Sequence, residues 1–291
     1  MSAVSVKQNQ HHKTYPLMTR IEWHLSGSKY FPYAWDHTVA RARVRWHDWR
    51  RTRRLIPESL INFESKTFCQ NGEDGILTEI FRRIGEGDKF AIEFGIGDGT
   101  ECCTRNLFVN RDWGGLLIEG SQSYVDNAKQ LYKDNSKVTA VCSYIRLDNI
   151  LEIFNEGRVP DSPDLLVVDI DGNDYWILER ILTKYKPRVI VCEYSSRWVP
   201  PTDWVMPYNP EHVWDGSAYF GASLAAFVRL TGAHGYTLVG CESRGVNCFF
   251  VRDDLIGNHF PDHHLGLTHY VPPHYGRGYG HQLRFRHSGA D

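Results

Sequence analysis

The sequence predicts an α/β fold: a mostly parallel seven-stranded sheet with an antiparallel last strand and helices on both faces. Three observations predict it. Runs that are apolar almost throughout, such as KFAIEFG (89–95), GGLLIEG (114–120) and PDLLVVDIDG (163–172), alternate with segments of helical period. Strands covered on both faces of a parallel sheet read this way. The closing runs, YTLVGCES (236–243) and GVNCFFVRDD (245–254), are separated only by a turn around Arg244 and Gly245, and a tight turn allows only antiparallel pairing. The first strand ends in a glycine-rich turn, FAIEFGIGDGTE (90–101), at the carboxyl edge where open α/β sheets bind ligands.

The elements follow in order. NGEDGILTEIFRRIG (71–85) puts Ile76, Leu77, Ile80, Phe81 and Ile84 on one helical face, and Gly85 can stop the helix. TRNLFVNRDW (104–113) suits a short helix, SYVDNAKQLYKDN (123–135) a longer one, and KVTAVCSYI (137–145) a strand. NILEIFNEG (149–157) is a short helix with a glycine stop, and NDYWILERILTKY (173–185) a helix before the strand PRVIVCEYS (187–195). SLAAFVRLTGAHG (223–235) is the last helix. The reading divides the chain into a basic, aromatic extension (1–60), a Rossmann-like domain (61–255) with an insert at 196–222, and a histidine-rich tail (256–291).

Composition bounds the function. The chain has 291 residues, 42% hydrophobic and 23% charged, which fits a globular protein with a real core. A formal net charge of −2 gives no global field for nucleic acid or an acidic surface. Seven scattered cysteines without a CxxC suggest buried free thiols in a reducing compartment. No secretory leader is visible and no apolar run reaches the roughly 20 residues of a membrane span, so a cytoplasmic protein is expected.

The glycine turn defines the ligand more closely. A dinucleotide site wants G-x-G-x-x-G. Counted from Gly95, the third glycine would fall at Thr100; the sequence has Glu93, Gly95, Gly97 and Gly99 instead. The second strand ends in Glu119, whose acceptor-only carboxylate suits a ribose diol. These features favour an adenosine ligand without a pyrophosphate and disfavour a nicotinamide dehydrogenase.

At these residues the chain resembles the S-adenosylmethionine-dependent methyltransferases of the Rossmann-like class I fold, and more narrowly the FkbM-type methyltransferases. The resemblance spans roughly 65–254. It rests on CQNGEDGIL (69–77), FAIEFGIGDGTE (90–101), WGGLLIEGS (113–121), DLLVVDIDGNDYWIL (164–178), VIVCEYS (189–195) and HGYTLVGC with NCFFVR (234–252). The family's fourth-strand motif typically reads K-I-D-x-E-G-x-E; here Val167 replaces the lysine, and Asp171 and Asp174 replace the glutamates. The resemblance implies S-adenosylmethionine as cofactor. Gly95, Gly97, Gly99, Glu93, Thr100, Glu119, Gly120 and Ser121 would lie around it, with Gln70, Glu73 and Asp74 closing over its methionine end. Helix capping by Asn71, with two acids in the first turn, explains the last segment equally well.

The acids after the fourth and fifth strands are the catalytic candidates. Asp169 or Asp171 would take the proton of an attacking hydroxyl, with Glu193 as a second base or acceptor contact. Alternatively Asp169, Asp171, Asn173 and Asp174 hold Mg2+ or Ca2+, or Asp171 or Asn173 only caps the helix. The insert 196–222, rich in aromatics and prolines, reads as a lid. Trp198, Trp204, Tyr208, His212, Trp214 and Tyr219 are its acceptor-packing candidates, and His212 is an alternative base.

Two extensions carry rival readings. RARVRWHDWRRTRR (41–54) has seven arginines and one aspartate. It suits either nucleic acid or an anionic membrane, or a basic face docking Trp46 and Trp49 on the core or on a second subunit of a homodimer. Seven of the fourteen histidines (259, 263, 264, 269, 274, 281, 287) fall in the tail, at no metal-site spacing. The sequence therefore reads as an S-adenosylmethionine-dependent methyltransferase acting on an oxygen of a small acceptor such as a sugar or natural-product hydroxyl. The alternatives are a nucleic-acid-associated binding protein, or the same fold with non-methylating chemistry.

Overall fold

A computed structural model describes residues 56–217 and 219–274. The arginine segment 41–54, with Trp46 and Trp49, and tail residues His281 and His287 lie outside the described residues. Seven strands form one sheet: β1 (Phe90–Phe94), β2 (Gly114–Glu119), β3 (Val138–Cys142), β4 (Leu165–Val168), β5 (Val189–Glu193), β6 (Tyr236–Cys241) and β7 (Asn247–Arg252). Among the described residues six α-helices accompany them: α1 (Glu73–Ile84), α2 (Arg105–Asn110), α3 (Gln122–Leu131), α4 (Ile150–Glu156), α5 (Asp174–Leu182) and α6 (Leu224–Ala233). Every strand and helix read from the apolar pattern is present; each is shorter than its reading, and α3 begins one residue before the reading, at Gln122.

The strand order is β3-β2-β1-β4-β5-β7-β6. β1 to β5 pair in parallel, and β7 runs antiparallel between β5 and β6. This is the mostly parallel sheet with an inserted antiparallel strand that the short turn at Arg244–Gly245 implied. Alternate strand residues feed two cores, because successive side chains of a strand point to opposite faces. Ala91, Leu117, Val167, Val191 and Phe249 pack with α1, α2 and α3. Ile92, Leu116, Leu166, Ile190 and Phe250 pack with α4, α5 and α6. The helices cover both faces, so the strands are apolar on both sides.

Two details place the carboxyl edge. The β4–β5 register pairs Leu165 with Val189 through to Val168 with Cys192, which carries Asp169 and Glu193 to adjacent positions on the α1 face. Asn247 of β7 is the register partner of Glu193 on the other side. The tail's described part, 256–274, lies against this end. The Tyr194 hydroxyl donates to the Val271 carbonyl (2.7 Å) and the Tyr270 hydroxyl to the Ser196 carbonyl (2.7 Å). All seven cysteines are free; six are buried, whereas Cys142 is exposed at the end of β3. No helix among the described residues is long and apolar enough to cross a membrane.

Candidate active site

The glycine turn leaves β1 and folds against the ends of β2 and β4. Gly95 has a positive φ of 64°, and a Cβ there would meet the Asp169 carbonyl oxygen at 1.9 Å. Only glycine lets the backbone approach β4 this closely. Gly97 also has a positive φ, 53°, but a Cβ there would meet nothing within 4 Å. The turn is pressed onto the sheet at Gly95 and open above Gly97. Gly99, beside Ala128 of α3, completes it, with its carbonyl accepting the Tyr132 hydroxyl at 3.1 Å.

Glu119 meets this turn. Its Oε2 accepts the Gly97 N–H at 3.0 Å, and its Oε1 accepts the Ser121 N–H at 3.0 Å. A carboxylate has about four lone-pair sites, so two protein donors fix its plane and leave two for a ligand. Gly120 and Ser121 follow directly. The Tyr144 ring, 70% exposed, stands where a Gly120 Cβ would be, 2.9 Å from its Cε1. Sequence reasoning missed Tyr144; a single aromatic after a strand carries no signal until the β2–β3 register is known.

Several residues expected at the ligand have protein partners instead. Glu93 accepts the Cys103 N–H (2.8 Å), the Thr104 N–H (2.9 Å) and the Thr104 hydroxyl (2.6 Å), tying β1 to the start of α2. Burial holds its carboxyl up at about 7 despite these donors. One oxygen of Asp74 accepts three consecutive N–H groups, from Thr67, Phe68 and Cys69. Glu73 accepts the Asn71 N–H and the Asn247 amide (2.9 Å). Thr100 donates its N–H and hydroxyl to Asp98. Gln70 is exposed, and its carbonyl accepts Lys66 at 3.1 Å. Two acids do occupy the first turn of α1, but Gly72, not Asn71, is its N-cap.

The acids after β4 and β5 form a different environment. Asp169, Asp171 and Glu193 each offer a carboxylate oxygen, and the three atoms lie within 4.8 Å of one another. Burial pushes all three carboxyls up, and repulsion from neighbouring acids adds to it: Asp171 goes to about 6, with Asp174 raising it and His212 opposing, and Asp169 and Glu193 go well above the usual range, raised by Asp171, Asp174 and, for Glu193, Asp169. Asp169 and Glu193 lie within hydrogen-bonding reach of one another, so one proton between them would relieve part of that repulsion. The other two acceptors of this segment are engaged. Asp174, not Asp171 or Asn173, secures the turn into α5, accepting the Ile170 and Gly172 N–H groups at 2.8 Å each. Asn173 exchanges hydrogen bonds with the Asn209 backbone.

The insert folds back over this end. His212 Nε2 lies 3.0 Å from the Asp171 carbonyl oxygen, so its ring anchors the loop. Trp198 stacks on Trp204, and Tyr219 packs edge-on to Trp204. The Tyr208 hydroxyl accepts the Leu147 N–H at 3.3 Å, and Trp214 donates to the Ser217 carbonyl. In the tail, ring nitrogens of His263, His269 and His274 meet nearby carbonyls of Phe260, Asp262 and Pro272.

A mixed sheet with an inserted antiparallel strand, a glycine turn after β1 and an acid after β2 define the class: a Rossmann-like methyltransferase fold. The family described as "Methyltransferase FkbM domain" matches residues 63–229. The chain belongs to that family, whose activity is methyl transfer from S-adenosylmethionine. No curated protein matches the chain. Solved structures are similar to the chain at low identity. The citrinin polyketide synthase CMeT domain is 10% identical with a TM-score of 0.42, over 62% of this chain and 51% of that one. Aeropyrum pernix fibrillarin with natively bound S-adenosyl-L-methionine is 10% identical with a TM-score of 0.39, over 60% and 74%. A precorrin-6y C5,15-methyltransferase from Geobacter metallireducens is 14% identical with a TM-score of 0.39, over 64% and 90%.

Proposed function

We propose that the chain moves the methyl group of S-adenosylmethionine to an oxygen of a small acceptor, such as a sugar or natural-product hydroxyl. The meeting of Glu119 with the Gly97 N–H carries this reading, because it joins the acid after β2 to the open part of the glycine turn. In the proposal Gly95, Gly97 and Gly99 cradle the cofactor's adenosyl and methionine portions. Glu119 accepts the ribose hydroxyls on its two remaining lone-pair sites, beside Gly120, Ser121 and Tyr144. Glu93, Glu73, Asp74 and Thr100 hold the surrounding backbone in place rather than touching the cofactor.

The acceptor enters past Asp169, Asp171 and Glu193, beneath the insert 196–222 acting as a lid. Its oxygen attacks the methyl carbon, and the carbon–sulfur electron pair goes to sulfur, leaving neutral S-adenosylhomocysteine. The positive leaving group makes positioning the protein's main task; the hydroxyl proton passes to a base at the acid cluster. Raised carboxyls support this role, since a base is most effective with a pKa near the working pH.

Calorimetry with S-adenosylhomocysteine, wild type against Glu119→Ala, tests the cofactor site. Wild type is expected to bind and the variant to lose at least about tenfold, the minimum for a hydrogen bond to a charged group at roughly 1.5 kcal/mol. No wild-type binding at about 1 mM ligand, roughly −4 kcal/mol, would sink the reading.

A further inference from the structure

The three acids lack what buried carboxylates normally have. Among the described residues no ion pair involves Asp169, Asp171 or Glu193. Glu193 is 9% exposed, and its Oε2 is buried without a hydrogen-bond partner. The side chain within its hydrogen-bonding reach is that of Asp169, another acid. The Oδ1 of Asn247, the register partner of Glu193, and the hydroxyls of Ser195 and Ser196, which follow Glu193 in the chain, are likewise buried without partners, and the His212 ring meets the backbone carbonyl of Asp171. A buried charge left this way is costly unless a cation or proton arrives.

Geometry distinguishes between these occupants. Around one ion, ligands at about 2.1 Å (Mg2+) or 2.4 Å (Ca2+) stand roughly 4.2–4.8 Å apart when opposite, and closer when adjacent. The three oxygens, mutually within 4.8 Å, fit one coordination sphere. They are all carboxylate oxygens, the donor set of a hard divalent ion rather than of zinc, copper or iron–sulfur centres.

We infer that Asp169, Asp171 and Glu193 hold a divalent cation of the Mg2+ or Ca2+ class beside the methyl donor. The inference rests on the proposed reaction only for the acceptor's position. Asp174 and Asn173, which the sequence also offered as ligands, are outside the set because backbone N–H groups and the Asn209 segment occupy them. Three protein ligands leave about three of six positions open, enough for two neighbouring oxygens of a diol. The bound hydroxyl then loses its proton more readily. With the ion in place the three acids serve as its ligands instead of as the base, so the proton passes to water rather than to a carboxylate; the oxygen bonds to the methyl carbon, and the carbon–sulfur pair leaves with sulfur.

The test is a Mn2+ titration of the full chain, dialysed against a chelator, followed by electron paramagnetic resonance of the free ion. Competition with Mg2+ and Ca2+ follows. One site per chain is expected, with a dissociation constant below about 1 mM, weakened at least about tenfold in Glu193→Gln and in Asp171→Asn. Asp171 is half-buried rather than fully enclosed, so its variant serves if Glu193→Gln fails to fold; melting curves check both. Wild type without Mn2+ binding at about 10 mM would mean that Asp169 and Glu193 merely share a proton, and overturns the inference. Variants that bind Mn2+ like wild type overturn it too. S-adenosylhomocysteine calorimetry separates the failures: cofactor binding without Mn2+ binding removes the cation alone, and Mn2+ binding without cofactor binding removes the proposed reaction alone.

Discussion

Two alanine substitutions, two residues apart in the same turn, separate a ligand cradle from a plain strand–helix connection. Gly95 and Gly97 both have positive φ, so either alanine carries a backbone penalty of roughly 1–2 kcal/mol. Loss of glycine's freedom in the unfolded chain returns about 0.4–1 kcal/mol of this. At Gly97 nothing else is added, because a Cβ there meets no atom within 4 Å. The net cost is about 1 kcal/mol, a fall of roughly 2–4 °C in melting temperature for a domain of this size. At Gly95 the Cβ meets the Asp169 carbonyl oxygen at 1.9 Å, so β1 and β4 must part. Overpacking of this kind adds about 1–3 kcal/mol or more. Thermal unfolding should therefore show a small loss for Gly97→Ala and a several-fold larger one for Gly95→Ala. Calorimetry with S-adenosylhomocysteine should show the opposite emphasis: Gly97→Ala, although folded, loses at least about tenfold in affinity because its methyl fills the cofactor's space. A folded Gly97→Ala protein that binds like wild type would refute the cradle, since the open space above Gly97 would then belong to no ligand.

Two further predictions concern buried acids outside the proposed cofactor cradle. Asp164 is 1% exposed, accepts the Gly87 and Lys89 N–H groups at 2.7 Å each, and pairs with Arg188; Asp164→Asn should cost about 3 kcal/mol and lower the melting temperature by roughly 6–12 °C, and a loss under about 2 °C would show that the pair carries little. Burial, with the charge of Glu73, raises the Glu242 carboxyl to about 8, so its stabilising contribution is complete below its unfolded value near 4.5 and is lost as pH rises through 8. Glu242→Gln should remove that slope, gaining on wild type in melting temperature between pH 5 and pH 8 (a range of about 3 units); parallel curves would contradict the raised carboxyl.

The sheet was legible because its signals are local. Apolar runs such as LLVV and VIVC mark buried strands, and the turn at Arg244–Gly245 forced the antiparallel strand without knowledge of its neighbours. The site was legible only in part, because its signals are pairwise. Glu93 before a glycine turn looks the same whether its partner is a ligand amine or the Thr104 backbone eleven residues on. Asn173 looks like a cap until Asp174, one residue later, is seen to take the N–H groups. The adjacency of Asp169 and Glu193 follows from the β4–β5 register, which a spacing of 24 residues cannot reveal without the strand order. Tyr144 beside Gly120 depends in the same way on the β2–β3 register.

The carboxyl edge of the sheet thus divides into two halves that differ in how their acids are partnered. Around the glycine turn, Glu93, Asp74 and Glu119 each have backbone N–H partners, so this half is tied down by the protein alone, as the proposed cofactor cradle requires. At the ends of β4 and β5 the acids face one another instead, with Glu193 Oε2 unpartnered. Repulsion there is unresolved in the protein alone, and only a positive charge or a proton relieves it. A methyl donor is itself a sulfonium cation, and its transfer turns that cation into a neutral thioether. A neighbouring acid cluster would favour the charged donor over the product, and so favour product release, unless a divalent ion offsets it. Comparing the affinities of S-adenosylmethionine and S-adenosylhomocysteine with and without Mn2+ reads this balance directly. Without the ion the methyl donor should bind more tightly than the product. With the ion the difference should shrink or reverse, and a ratio unaffected by Mn2+ would show that the acid cluster and the sulfonium do not sense one another.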